Sequence, residues 1–210
     1  MNMIQLNVKP ESKGLRISEH QIPTAAKILA RGFVDDPMFC FIFPKSETRL
    51  QALEAFFQLF VADGIKRGEV ILERKEQGAC IWYPPEVSVF DEQFEEMLGE
   101  IISITSYFGG LESAERFEQL ANQVGVNEPT VSHCEVLWIA LLPEARGKGI
   151  GGSLLLPALN KADTKKVGCY LVSSNSRNIS FYERHGFRKN CLIQVSDTYS
   201  MMGMWRDFVK

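Results

Sequence analysis

No stretch of this chain approaches the ~18 consecutive apolar residues of a membrane span, and its opening, "MNMIQLNVKPESKG", lacks the apolar core of an export signal. Membrane insertion and secretion are therefore not expected, and the expected location is the cytoplasm. An excess of basic charge is missing too: 23 Lys and Arg stand against 26 Asp and Glu, a net charge of −3. Nucleic-acid binders carry a basic balance or stripe, so a nucleic-acid partner is not expected. The five cysteines are odd in number, widely scattered and without CxxC spacing. That pattern excludes a disulfide framework and a cysteine-based zinc site, so no metal is expected. Reduced thiols in a protein core remain. Internal repeats and low-complexity linkers are also absent, which leaves residues 1–13 as an arm and 14–210 as a single domain.

What is present alternates between two periods. "GLRIS" at 14–18 reads as a short strand, Ser18 with Gln21 as a capping box, and Pro23 as a first-turn residue of a helix. "FVDDPMFCFIFP" reads as a turn and an aromatic-rich run. From Ser46, a helix is expected with Leu50, Leu53, Phe57, Phe60 and Val61 on one face. "EVILERK" and "GACIWYPP" are strands. Residues 87–128 turn helical again, with Phe90, Phe94, Met97, Ile101 and Phe108 on one face and a break at Gly109-Gly110. This segment holds nine acids and one base, Arg116. "HCEVLWIALL" is a continuous apolar strand of the kind central sheet positions require. After it come a glycine-rich stretch, an apolar helix, the strand "GCYLVSS", a short helix in "NSRNISFYERHG" and two closing strands. The order predicts an α/β or α+β sheet with helices on both faces.

The glycine-rich stretch, "EARGKGIGGSLLL", places four glycines and two cations within Arg146–Gly152. Bare backbone ahead of a helix aims unpaired N–H groups at an anion. Gly147, Gly149 and Gly152 satisfy GxGxxG, yet a dinucleotide site needs an acid about 20 residues on to hold a ribose. Val172, Ser173 and Ser174 stand there instead. A GxxxxGK[ST] phosphate loop fails because Lys148 precedes the last glycines. Arg146, Gly149 and Gly151 do satisfy R-x-x-G-x-G after a strand ending in "IALLP".

This pattern resembles the coenzyme A pyrophosphate loop of the Gcn5-related N-acetyltransferase (GNAT) superfamily. "NSRNISFYERHGF" is similar to that family's N-x-x-x-Y-x-x-x-G-F signature, carried by Asn178, Tyr182, Gly186 and Phe187. "GFVDDPMFCFIFP", "GACIWYPPEV" and "LLLPALNKAD" are similar to a branch that includes puromycin N-acetyltransferase. Val172 departs from that branch, where many relatives carry a glutamate. The resemblance implies a mixed, mostly antiparallel central sheet and acetyl-coenzyme A as acetyl donor. It also implies a strand before the loop that splays from its neighbour, so that the backbones of Ile139, Ala140 and Leu141 bind pantetheine and thioester. Arg146, Gly147, Lys148, Gly149, Ile150, Gly151 and Gly152 would hold the diphosphate, and Asn178 the pantetheine arm.

Acetylation of an amine needs a neutral nucleophile, a polarised carbonyl and a proton for the leaving thiolate. An alkyl ammonium has a pKa near ~10.4, so a base or desolvation must free the amine. Tyr182 is the candidate general acid, as the family's signature tyrosine is. Glu135 and His133 share a strand face by alternation and are the candidate bases. His20 and His185 read as surface or cap positions. The expected acceptor is a primary amine of a small molecule, drawn by the acids of 87–128 and walled by Phe39, Phe41, Phe43, Trp82 and Tyr83. A monomer or homodimer is expected. The alternative is a coenzyme A sensor or scaffold without turnover.

Overall fold

The computed structural model describes residues 14–210; the expected arm, 1–13, lies outside the described residues. Seven strands form one sheet: β1 (Gly14–Arg16), β2 (Glu69–Glu73), β3 (Gly78–Tyr83), β4 (His133–Leu141), β5 (Gly168–Ser173), β6 (Arg188–Gln194) and β7 (Ser200–Arg206). Their spatial order is β1-β2-β3-β4-β5-β7-β6. Neighbours are antiparallel except β4 and β5, which run parallel. The helices are α1 (Ile22–Phe33), α2 (Pro37–Ile42), α3 (Ser46–Arg67), α4 (Glu92–Gly109), α5 (Leu111–Val126), α6 (Ile150–Lys165) and α7 (Ile179–Glu183). None is long and apolar enough to cross a membrane.

Alternation along β2 fixes which helices lie on which face. Gly64 of α3 sits against Val70 and Ile81, whereas Gly14, which also meets Ile71, and Gly78 approach Leu154 of α6. Successive strand residues point to opposite faces, so α3 and α6 cover opposite sides. Gly32 of α1 lies over Ala140. On the α3 side, Trp138 of β4 meets Phe33, Phe39, Phe56, Phe57 and Phe60 with ring centroids 5.2 to 5.9 Å apart. Edge-on arrangements dominate, as ring quadrupoles favour.

Two elements differ from the sequence reading. The aromatic run after "FVDD" is itself helical: Pro37 occupies the first turn of α2, and the Asp36 carboxylate caps it by accepting from the Met38 N–H at 3.1 Å. On α3, Leu50 is exposed and its neighbour Arg49 is buried. The Arg49 guanidinium donates to the carbonyls of Phe43 (2.8 Å), Val34 (3.1 Å) and Pro44 (3.1 Å). Periodicity ranks residues by apolarity, and so it misses a cation whose partners are loop carbonyls. Arg49 thereby fixes the chain on both sides of α2. Replacing it with Met keeps the aliphatic stem but leaves three carbonyls without their donor. Arg49→Met should lower unfolding free energy by about 2–4 kcal/mol, read from urea unfolding; a loss within error of zero would show that the loop carbonyls find other partners.

Candidate active site

β4 and β5 pair only where His133, Cys134 and Glu135 face Gly168, Cys169 and Tyr170, and then diverge. On its other edge β4 stays paired to β3, with a bulge where Ile81 pairs with Trp138 and Trp82 with Val136. The extra residue re-aims the side chains that follow it. Tyr83, opposite Glu135, donates its hydroxyl to Asp63 of α3 at 2.5 Å, so Glu135 belongs to the α3 face, as does Trp138. Strict alternation would have put those two on opposite faces.

Beyond the divergence lie two spaces that meet. A groove of about 850 Å³ is lined by Ile139, Ala140, Leu141, Arg146, Gly147, Gly149, Gly151, Gly152, Asn178 and Tyr182, together with Arg31, Arg177, Arg184 and His185. A smaller cavity of about 90 Å³ is walled by apolar side chains, among them Phe60, Phe94, Phe117, Leu120 and Val172, with Glu135 as its carboxylate. Phe33, Ile139, Asn178 and Tyr182 line both.

The groove has the chemistry of an anion cradle. Gly147 and Gly149 take φ of 76° and 75°, the left-handed region open to glycine, and α6 begins at the next residue, Ile150. The helix N-terminus and its unpaired N–H groups therefore open onto the groove. A Cβ built on Gly149 meets nothing within 4 Å, so the loop borders open space. Arg146 donates to the Gly32 carbonyl at 3.2 Å and ties the loop to α1. Of the residues expected to hold the diphosphate, Lys148 and Ile150 are not in the lining: Lys148 is exposed and Ile150 packs in the core. Cationic charge comes instead from Arg31, Arg177 and Arg184, which no motif spacing marks. Glycine nest, diverging strands and arginines together fit a long ligand with a diphosphate.

Asn178 ends a 3-10 turn (Ser176–Asn178) and directly precedes α7, four residues before Tyr182. Gly186, at φ 88°, lets the Phe187 N–H reach back to the Tyr182 carbonyl at 3.2 Å, a Schellman-type stop. The signature's Gly-Phe pair is therefore the device that ends the helix carrying Tyr182. Tyr182 is 7% exposed, and burial raises its pKa, so its hydroxyl stays protonated near neutrality. His185 is half-buried at the end of α7, its Nδ1 2.8 Å from the Phe181 carbonyl in a cap-type contact, and its ring lies 4.6 Å from that of Phe181 and lines the groove. Asp36, unmarked by the sequence reading, is also buried there, its pKa raised by burial against hydrogen bonding from Ser174 and Asn175.

Glu135 is 3% exposed, and its Oε2 has no hydrogen-bond partner among the described residues. Burial first, and the charge of Glu128 second, push its pKa up to about 8. His133 lies alongside, Nε2 3.9 Å from Glu135 Oε2, and burial lowers its pKa. Its Nδ1 is 2.7 Å from the Val131 carbonyl, which only accepts, so Nδ1 carries the proton and Nε2 the lone pair.

The expected aromatic wall is replaced by another. Phe39, Phe43, Trp82 and Tyr83 are core residues at 1% exposure or less, and Phe41 stacks on Tyr199; none lines the cavity. The acids of α4 and α5 likewise face solvent, while the apolar faces of those helices line the cavity. Asp91 differs: it caps α4 and pairs with Arg67. Cys80, Cys134 and Cys169 are buried, whereas Cys40 and Cys191 are partly exposed rather than in the core.

Residues 112–189 match the family model described as an acetyltransferase (GNAT) domain. The fold is shared with a Corynebacterium glutamicum protein described as "histone acetyltransferase HPA2 and related acetyltransferase": TM-score 0.70, 20% identity, covering 96% of this chain and 98% of that one. It is also shared with an agmatine N-acetyltransferase mutant (TM-score 0.63, 13% identity, 93% and 100% covered). A third likeness is to PaiA N-acetyltransferase from Thermoplasma acidophilum in complex with coenzyme A (0.54, 15%, 93% and 98%). Over residues 112–189 the chain is similar to a GNAT acetyltransferase domain, and over nearly its whole length it shares the fold of these acetyltransferases. The matched segment runs from α5 into β6 and contains the glycine loop, Asn178 and Tyr182.

Proposed function

We propose that the protein transfers acetyl from acetyl-coenzyme A to a primary amine of a small, apolar-bodied molecule, by direct attack within one ternary complex. The observation that carries this reading is the meeting of groove and cavity at Ile139, Asn178 and Tyr182. A thioester entering along the groove would reach an amine held in the cavity at that junction. The unpaired edge of β4 beyond Glu135 offers fixed amides for pantetheine and for the developing oxyanion. Tyr182 gives the departing thiolate its proton. Glu135, with an unpartnered oxygen in the cavity wall, takes the proton from the amine through a water, and His133 beside it relays that proton outward.

The cavity's size and apolar lining favour a compact amine over a peptide. Since the acids of α4 and α5 face solvent, selection rests on the cavity more than on long-range attraction. The fold likeness to a protein named for acetylating agmatine agrees with a small amine. The sequence likeness to the puromycin N-acetyltransferase branch belongs to the same reading.

Incubation with acetyl-coenzyme A and a panel of aryl, alkyl and peptide amines, followed by thiol release, tests it. Small amines should turn over and peptides should not; a panel led by histone-like peptides, or binding without release, would overturn it. Glu135→Gln keeps shape and removes the base, so kcat should fall ~10²–10³-fold while cofactor affinity holds. Unchanged kcat under single-turnover conditions would remove Glu135 from the chemistry.

A further inference from the structure

The spacing of Glu128, His133 and Glu135 matches no metal motif, yet the fold brings one ligand atom from each within 4.8 Å of the others. Each of these atoms offers a lone pair to a metal once the carboxyls are ionised. The Val131 carbonyl holds the proton on His133 Nδ1, so the Nε2 lone pair faces Glu135 Oε2. That oxygen is buried and has no partner among the described residues. A second-sphere carbonyl on the far nitrogen is how metal-bound histidines are oriented. Three potential ligand atoms converge there, one of them a buried oxygen without a partner among the described residues, and a divalent cation that displaces the carboxyl protons would satisfy all three.

We propose that Glu128, His133 and Glu135 form a binding site for a divalent first-row transition cation, with zinc as the probe. One imidazole and two carboxylates suit zinc or manganese, whereas magnesium and calcium prefer all-oxygen shells. Zinc bonds of about 2.0–2.2 Å place tetrahedral ligand atoms roughly 3.4 Å apart, so the 3.9 Å between His133 and Glu135 needs to shorten by only a fraction of an ångström. Glu128 follows the C-terminus of α5 and is half-buried, which gives the ion a route from solvent. Glu135 is common to this site and to the cavity, so a bound ion takes the carboxylate out of proton transfer. That inhibitory consequence rests on the reading of Glu135 as base; metal binding itself does not.

The test is calorimetric titration of the chelator-treated full chain with zinc chloride. One zinc per chain is expected, with at least tenfold weaker binding in both Glu128→Gln and His133→Ala. Cys40→Ser and Cys191→Ser, at the two partly exposed thiols, should bind as wild type does, and excess magnesium should not compete. If His133→Ala does not fold, Glu128→Gln decides alone, because its side chain lies outside the cavity lining. Absence of stoichiometric uptake, unchanged affinity in Glu128→Gln, or loss in a cysteine variant would each overturn the site. In an acetylation assay, zinc should inhibit wild type at the concentration at which it binds, and Glu128→Gln should need at least tenfold more. Zinc binding without inhibition would leave the metal site standing and refute its overlap with the base.

Discussion

Gly149→Val should lose at least ~100-fold in coenzyme A affinity while the fold's melting temperature falls by only a few degrees. Two effects act together. At φ 75° the backbone is left-handed, where a β-branched residue is a steric outlier costing roughly 1–2 kcal/mol or more. The new side chain also projects into open groove, where the N–H groups ahead of α6 would meet a diphosphate. Gly149→Ala separates the two, since it keeps most of the strain and adds little bulk. Gly151 makes a poorer probe: a Cβ there comes within 3.0 Å of the Phe181 ring, so Gly151→Val disturbs the contact of α6 with α7 and should lower stability as well. Calorimetry with coenzyme A, alongside thermal melts, checks both variants. Unchanged affinity in Gly149→Val would remove the loop from cofactor binding.

Tyr182→Phe should lower kcat by ~10²–10⁴-fold, about 3–5 kcal/mol of barrier, with cofactor affinity unchanged. Burial raises the hydroxyl's pKa, so near neutrality it can give a proton but not take one. The protonated hydroxyl is thus available to a departing thiolate. The substitution keeps the ring and its edge-on contact with Phe181, centroids 5.1 Å apart, so the end of α7 should hold. Stopped-flow measurement of the first turnover isolates the chemical step. A wild-type rate there would make Tyr182 a packing residue only.

The parts of this site legible in the sequence are those set by backbone. Gly147 and Gly149 announce left-handed turns, "HCEVLWIALL" announces a buried strand, and the Asn178 to Phe187 spacing announces one short helix and its stop. Alternation also puts Glu135 and His133 on one face, and their side chains approach to 3.9 Å. What stayed hidden depends on contacts between distant elements. Arg49 reads as a surface cation until three loop carbonyls surround it. Phe39 and Trp82 cannot be told from Phe60 and Phe94 as core or cavity wall, because hydrophobicity is the same on both sides of a void. The bulge that puts Glu135 and Trp138 on one face breaks the alternation on which face assignments rest. Glu128 joins His133 only through the chain's return from α5 into β4.

The divergence of β4 from β5 also has a mechanical side. It divides the sheet into a half of β1 to β4 and a half of β5, β7 and β6, stitched by three residue pairs at one end. α6 spans the seam. Its Leu154 packs at Gly14 and Gly78 of the first half, and its Asp163 receives both terminal nitrogens of Arg206, at 2.8 and 3.0 Å, from the second. An acyl donor lying between the strands, as proposed above, would therefore brace a seam that three residue pairs and α6 otherwise hold.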